Sequence, residues 1–113
     1  TGLSSVRPEA REVEDECWRR ADLVVVDDRG TVGQSGDGRS AEASGAIDLA
    51  KVPELWQLEA GQVSRGSDEE ITLFKSSGNA LQDIAVAVGA YQLALAGGLG
   101  QEIGAFPALK PYA

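Results

Sequence analysis

Between Asp22 and Asp28 the chain runs Asp-Leu-Val-Val-Val-Asp-Asp, and no other stretch limits its possible folds as tightly. Four consecutive apolar residues, three of them β-branched, lie between acids. Successive residues of a strand point to opposite faces, so an unbroken apolar run describes a strand covered on both sides. That is the pattern of a parallel sheet packed by helices, not of a half-exposed antiparallel one.

The flanking sequence alternates to match. Thr1 to Val6 is small and mildly apolar, like the tail of a strand entering a loop. Pro8 suits the first turn of a helix, where its missing N–H costs nothing. From Glu9 to Ala21, Val13, Cys17 or Trp18, and Ala21 recur at helical spacing among charged residues, predicting an amphipathic surface helix. Its acidic start and Arg19-Arg20 end complement the helix dipole. Arg29 to Arg39 reads as loop, broken by Gly30, Gly33, Gly36 and Gly38. Ser40 to Val52 reads as a second helix closed by Pro53, then a short apolar piece from Leu55 to Leu58 and a polar loop from Gly61 to Glu70.

Ile71 to Phe74 is the second full strand, and it stops at Lys75-Ser76-Ser77-Gly78. A helix from Asn79 to about Leu99 follows, with Asn79 as its cap and Gly78 supplying the tight turn. Strands alternating with helices at these spacings define an α/β chain built of βαβ units. Two complete strands are few for such a sheet, so the chain reads as beginning partway through a fold.

Composition removes several functional classes. The chain has 113 residues, enough for one domain, with 42% apolar and 25% charged residues. A net charge of −8 argues against nucleic acid and anionic membranes, which require clustered Lys and Arg. With no histidine and Cys17 alone, a Cys–His nucleophile pair and a zinc site are both excluded within this chain, and no metal site is expected. Cys17 lies in the helical pattern and is expected to be a buried or half-buried thiol. A lone cysteine suits a reducing compartment, and a cytoplasmic location is expected. The N-terminus lacks the basic start and apolar stretch of a signal peptide. The uncharged run from Ile84 to Gly100 is near the lower limit of a membrane span and reads as a core or interface helix.

Two glycine clusters invite comparison with phosphate-binding loops. Gly98-Leu-Gly100-Gln-Glu-Ile-Gly104 follows a helix where the fingerprint must follow a strand, so it reads as helix termination. Gly33-Gln-Ser-Gly36-Asp-Gly38 lies between strand and helix but has the wrong spacing, and a flexible turn is the plainer reading. Asp27-Asp28 sits at a strand's carboxyl end, where it could hold a metal or a ribose, although solvated acids are commoner there. Ser76-Ser77-Gly78 is the strongest candidate. Ligands of open α/β sheets bind outside the carboxyl ends of the strands, and small hydroxyl residues there can donate to a carboxylate, a carbonyl or a cofactor amide.

The stretch Thr72-Leu-Phe74-Lys-Ser76-Ser77-Gly78, continued by Ala80-Leu81-Gln82-Asp83, resembles the C-terminal signature of the ornithine cyclodeaminase and mu-crystallin family. Pro8 to Glu12, Ala21 to Asp27, and Ser35-Gly36 with Gly45-Ala46-Ile47 match in order upstream, so the resemblance covers nearly the whole chain. It implies a partial Rossmann-like parallel sheet with flanking helices and a long C-terminal helix. Residues 1–113 would be the second half of an NAD(P)-binding Rossmann domain, with 79–104 as the returning helix. Family members are roughly three times as long, and their substrate and dimerisation domain, glycine fingerprint and substrate-binding Lys and Arg would precede Thr1.

Carried over by position, Ser76 matches the serine that touches the nicotinamide end of the cofactor. Leu3, Ser4, Ser5 and Val6 match the loop lining the nicotinamide, and Ser77 matches a neighbouring position near the substrate. No catalytic residue is carried over. The cyclodeaminase pattern has an acid/base Asp two residues before the loop proline and a Lys two residues after it. Val6 and Ala10 stand there instead. The resemblance therefore implies an NAD- or NADP-dependent oxidoreductase acting on an amino or imino acid, of imine reductase or amino-acid dehydrogenase type. The alternatives are ornithine cyclodeaminase itself and a non-catalytic mu-crystallin-like binding protein. This stretch alone would be inactive, the parent protein an enzyme, and the expected assembly a homo-oligomer, most simply a dimer.

Overall fold

The strand of the acid-flanked run forms at Leu23–Val26 (β2), and Val24, Val25 and Val26 are all buried. Val24 and Val26 join the main core, while Val25 points to the opposite face and is buried there too. A computed structural model describes residues 1–3 and 7–104 of the chain. They form two compact units, one ending at Asn79 and the other starting at Ala80.

The first unit holds a three-stranded parallel sheet of Gly2–Leu3 (β1), β2 and Thr72–Ser76 (β3), in the order β1-β3-β2. β3 pairs with β2 from Leu23↔Thr72 to Val26↔Lys75, and with β1 at Gly2↔Lys75 and Leu3↔Ser76. All three carboxyl ends therefore meet at one edge, as the α/β expectation requires.

The helices are shorter and more numerous than the periodicity predicts. The expected helix from Glu9 to Ala21 is only Asp15–Arg20 (α1). Residues 8–13 are instead held as a loop by tertiary contacts. The Gly36 amide donates to the Arg7 carbonyl at 3.1 Å, and a Cβ on Gly36 would overlap the Ala10 and Pro8 carbonyl oxygens. Within the short α1, Trp18 takes the inward position at 1% exposure, and Cys17, one residue away, is exposed rather than buried. A difference of one residue is about 100° around a helix, which decides the outcome.

The expected loop from Arg29 to Arg39 is two capped helices, Arg29–Val32 (α2) and the first half of Gly36–Ala43 (α3). Asp28 caps α2, accepting from the Thr31 amide at 2.6 Å, and Ser35 caps α3, accepting from the Gly38 amide at 3.1 Å. The glycines there are not breakers: a Cβ on Gly38 would overlap the Val32 carbonyl, so the turns meet backbone to backbone. The expected helix from Ser40 to Val52 instead ends at Ala43. Gly45 adopts φ +66°, its amide donating to Glu42 and that of Ala46 to Ala41, a Schellman termination. A 3₁₀ turn at Leu49–Lys51 and Leu55–Glu59 (α4) complete the connection.

Val13, Trp18, Val24, Val26, Val32, Ala41, Leu49, Val52 and Leu73 make one core between sheet and helices. In the second unit Ala80–Ala96 (α5) forms as expected, although none of its residues is buried. Gly98 at φ +61° ends it with the same two-bond termination, Leu99 to Ala94 and Gly98 to Leu95. The glycines near 98–104 thus include a helix stop, as read from the sequence. Among the described residues no helix is long and apolar enough to cross a membrane.

Candidate functional site

β3 is the central strand, so its carboxyl end is flanked by both neighbours. Ser76 lies in register with Leu3 of β1, which is 67% exposed, and Asp27 leaves the end of β2 on the other side. The Asp27 carboxylate closes the turn after β3. It accepts from Ser76 Oγ at 2.7 Å, the Ser77 amide at 3.0 Å, the Gly78 amide at 2.7 Å and the Asp28 amide at 2.9 Å. Gly78 sits at φ +75°, where a side chain is strained, which lets the turn fold back onto one carboxylate.

One sequence expectation changes here. Asp27 and Asp28 are not solvated acids: one gathers the Ser76–Gly78 turn and the other caps α2. The amides of Ser77 and Gly78 are spent on Asp27. Burial pushes the Asp27 carboxyl up, but the Ser76 hydroxyl and the three amides outweigh it and hold it below the ordinary carboxylate range. An ionised carboxylate only accepts, so Ser76 is the donor in that pair. Ser76 is half-buried, and its oxygen keeps its acceptor capacity.

Ser77 complements it. Its Oγ is buried and has no hydrogen-bond partner among the described residues, a condition that costs about 1–3 kcal/mol for a neutral polar group. Ser76 brings an oxygen with free lone pairs to the strand end, in register with the exposed, apolar Leu3. Ser4, Ser5 and Val6 lie outside the described residues.

Sequence reasoning missed the charged cluster beneath this edge. Lys75 is 0% exposed, and its ammonium lies 2.9 Å from Asp37 Oδ2 and 3.4 Å from Glu12 Oε2. Asp37 is itself buried, and its Oδ1 accepts from the amides of Glu12 and Val13 at 2.8 and 3.0 Å. One buried ion pair thus ties the central strand to the loop that leads out of β1. The signal was available: Lys75 shares the inward face with Leu73, and a lysine there requires a buried carboxylate. A surface depression of about 470 Å³ lined by Arg29, Gly33, Glu42 and Leu49 contains none of the expected site residues.

Parallel strands whose carboxyl ends meet at one edge, flanked by helices, give this chain the architecture of α/β dinucleotide-binding proteins. The chain belongs to the ornithine cyclodeaminase/mu-crystallin family, which it matches over residues 1–98. It is 35% identical to a Δ1-pyrroline-2-carboxylate reductase of Bacillus cereus over 89% of this chain and 32% of that protein. Thermococcus litoralis Δ1-pyrroline-2-carboxylate reductase in complex with NADH and L-proline superposes with a TM-score of 0.75. It is 37% identical, over 85% of this chain and 30% of that one. An archaeal alanine dehydrogenase dimer with bound NAD superposes at 0.72, with 36% identity over 88% and 32% of the two chains. The chain spans about a third of the length of the curated relatives it matches.

Proposed function

We propose that the protein carrying this chain is an NAD-dependent oxidoreductase acting on an amino or imino acid, with a cyclic imine carboxylate or an α-imino acid as substrate. The observation carrying this reading is the Asp27-oriented Ser76 hydroxyl at the end of the central strand, beside Leu3. Ser76 and the segment Leu3, Ser4, Ser5 and Val6 would hold the nicotinamide end, and Ser77 would face the substrate side. A bound coenzyme would supply the hydride that reduces the imine carbon, and in the reverse direction would take it from the amine-bearing carbon. The chain's own residues orient the ring, exclude water with Leu3 and satisfy the carboxamide.

Residues 1–79 then serve as the C-terminal half of a Rossmann domain, and α5 as the helix that returns from it. The 113 residues alone are inactive on this reading, because the glycine fingerprint and the substrate-binding Lys and Arg come from elsewhere in the parent protein. The parent acts as a homodimer, in keeping with the alanine dehydrogenase relative. Nothing favours NADP over NAD.

The test is a spectrophotometric assay of the full-length protein with NADH and Δ1-pyrroline-2-carboxylate, and with NAD and alanine or proline in reverse. Turnover of one of these supports the reading. Binding of NADH without turnover of any imino or amino acid replaces it with a non-catalytic binding protein, which the absence of an acid/base at Val6 would explain. Failure to bind NADH removes the site assignment altogether.

A further inference from the structure

The two candidate hydroxyls, Ser76 and Ser77, are adjacent in sequence yet differ in polarity. Among the described residues Ser76 Oγ makes one hydrogen bond and makes it as the donor, at 2.7 Å to Asp27 Oδ2. The same oxygen of Asp27 receives the Gly78 amide at 2.7 Å and the Ser77 amide at 3.0 Å, so the carboxylate cannot rotate away without releasing the whole turn. A serine hydroxyl has one hydrogen and two lone pairs. With its hydrogen committed, Ser76 can meet a ligand only as an acceptor. The Ser77 hydroxyl has no partner among the described residues and carries no such restriction.

We propose that Asp27 is a positioning residue that fixes Ser76 as a hydrogen-bond acceptor, so that the site reads the amino group of the nicotinamide carboxamide rather than its carbonyl oxygen. This rests on the reading that Ser76 faces the nicotinamide, and it adds which atom of the cofactor is recognised and what enforces the choice.

Two cofactor analogues separate the possibilities. The 3-acetylpyridine dinucleotide replaces the carboxamide –NH₂ by methyl and keeps the carbonyl oxygen. The thionicotinamide dinucleotide keeps the –NH₂ and replaces the oxygen by sulfur, a weak acceptor. Dissociation constants for both and for NAD are measured by calorimetry on the full-length protein and on its Ser76→Ala and Asp27→Ala variants. One neutral hydrogen bond corresponds to a factor of about three to ten, so the acetyl analogue should bind the wild-type protein that much more weakly than NAD, and the thio analogue within about twofold.

The preference should vanish in Ser76→Ala. It should also vanish in Asp27→Ala, where the freed Ser76 hydroxyl can turn and donate to the acetyl oxygen. A structural role for Asp27 alone would weaken all three ligands equally and leave their ratio unchanged, and that result overturns the proposal. So does a wild-type protein that binds the acetyl analogue as well as NAD, or a Ser76→Ala protein that still discriminates. If Asp27→Ala does not fold, the wild-type and Ser76→Ala ratios still decide, because an obligate acceptor at 76 requires its hydrogen to be held elsewhere. Absence of binding by NAD and both analogues defeats the proposed function itself, a different result from binding without discrimination.

Discussion

Replacing Lys75 by methionine tests the buried cluster most directly. The ammonium is wholly enclosed, 2.9 Å from Asp37 and 3.4 Å from Glu12. Glu12 is 38% exposed and can turn to water once its partner is gone, whereas Asp37, at 1%, cannot. The cost therefore falls on Asp37, left as an uncompensated buried charge. Removing one member of such a pair costs about 3–5 kcal/mol, against about 0–1 kcal/mol for an exposed pair such as Arg19–Glu16. At ordinary urea dependence this lowers the unfolding midpoint by about 2 M. The readout is amide exchange of the peptide carrying residues 72–76 across a urea series on the full-length protein. Asp37→Asn in the same background keeps Oδ1 for the Glu12 and Val13 amides while removing the charge. The double variant should therefore be less destabilised than the sum of the singles. A loss below about 1 kcal/mol for Lys75→Met, or strict additivity, would refute the argument that the pair is energetically coupled.

Acidification gives a second check. Burial raises the Asp37 carboxyl, but the Val13 amide, Lys75 and the Glu12 amide together hold it below the ordinary range, and Asp27 is depressed likewise. A folded pKa below the unfolded value of about 3.9 means this stability is present above that pH and lost as pH falls through the folded value. Thermal scans from pH 6 to pH 2.5 should show the fall below about pH 4. With Lys75→Met, burial is opposed by two amides only, so that variant's deficit should narrow on acidification. Gly36→Ala and Gly38→Ala place a methyl against backbone carbonyls and should each cost about 1–3 kcal/mol or more in urea titrations. Gly45→Ala meets open space and should cost only its left-handed strain, about 1 kcal/mol. Ser35→Ala removes both the α3 cap and the bond to the Val32 carbonyl, for a loss of about 1–2 kcal/mol by the same titration.

Local chemistry made much of this protein legible before any coordinates. The Leu23–Val26 run announced a strand buried on both faces, and the alternation around it announced a parallel α/β sheet. The Phe-x-Ser motif announced the family. What periodicity misjudged was helix length. Glu9 to Glu14 has helical spacing, but Asp37 reaches over from another element to accept the Glu12 and Val13 amides, and the Gly36 amide takes the Arg7 carbonyl just before it. Gly45 carried a stop signal inside the second predicted helix that apolar spacing overrode.

The candidate site divides in the same way. Sequence alone determined that two serines and a glycine end a strand, because turn chemistry is written in adjacent residues. Only the tertiary structure decided what those serines can do. Asp27 reaches Ser76, Ser77 and Gly78 through the pairing of β2 with β3, and Lys75 meets Asp37 across the core. Such contacts depend on where the chain returns in space. No local propensity encodes that distance, and at this edge it sets which hydroxyl is bound to a carboxylate and which has no partner among the described residues.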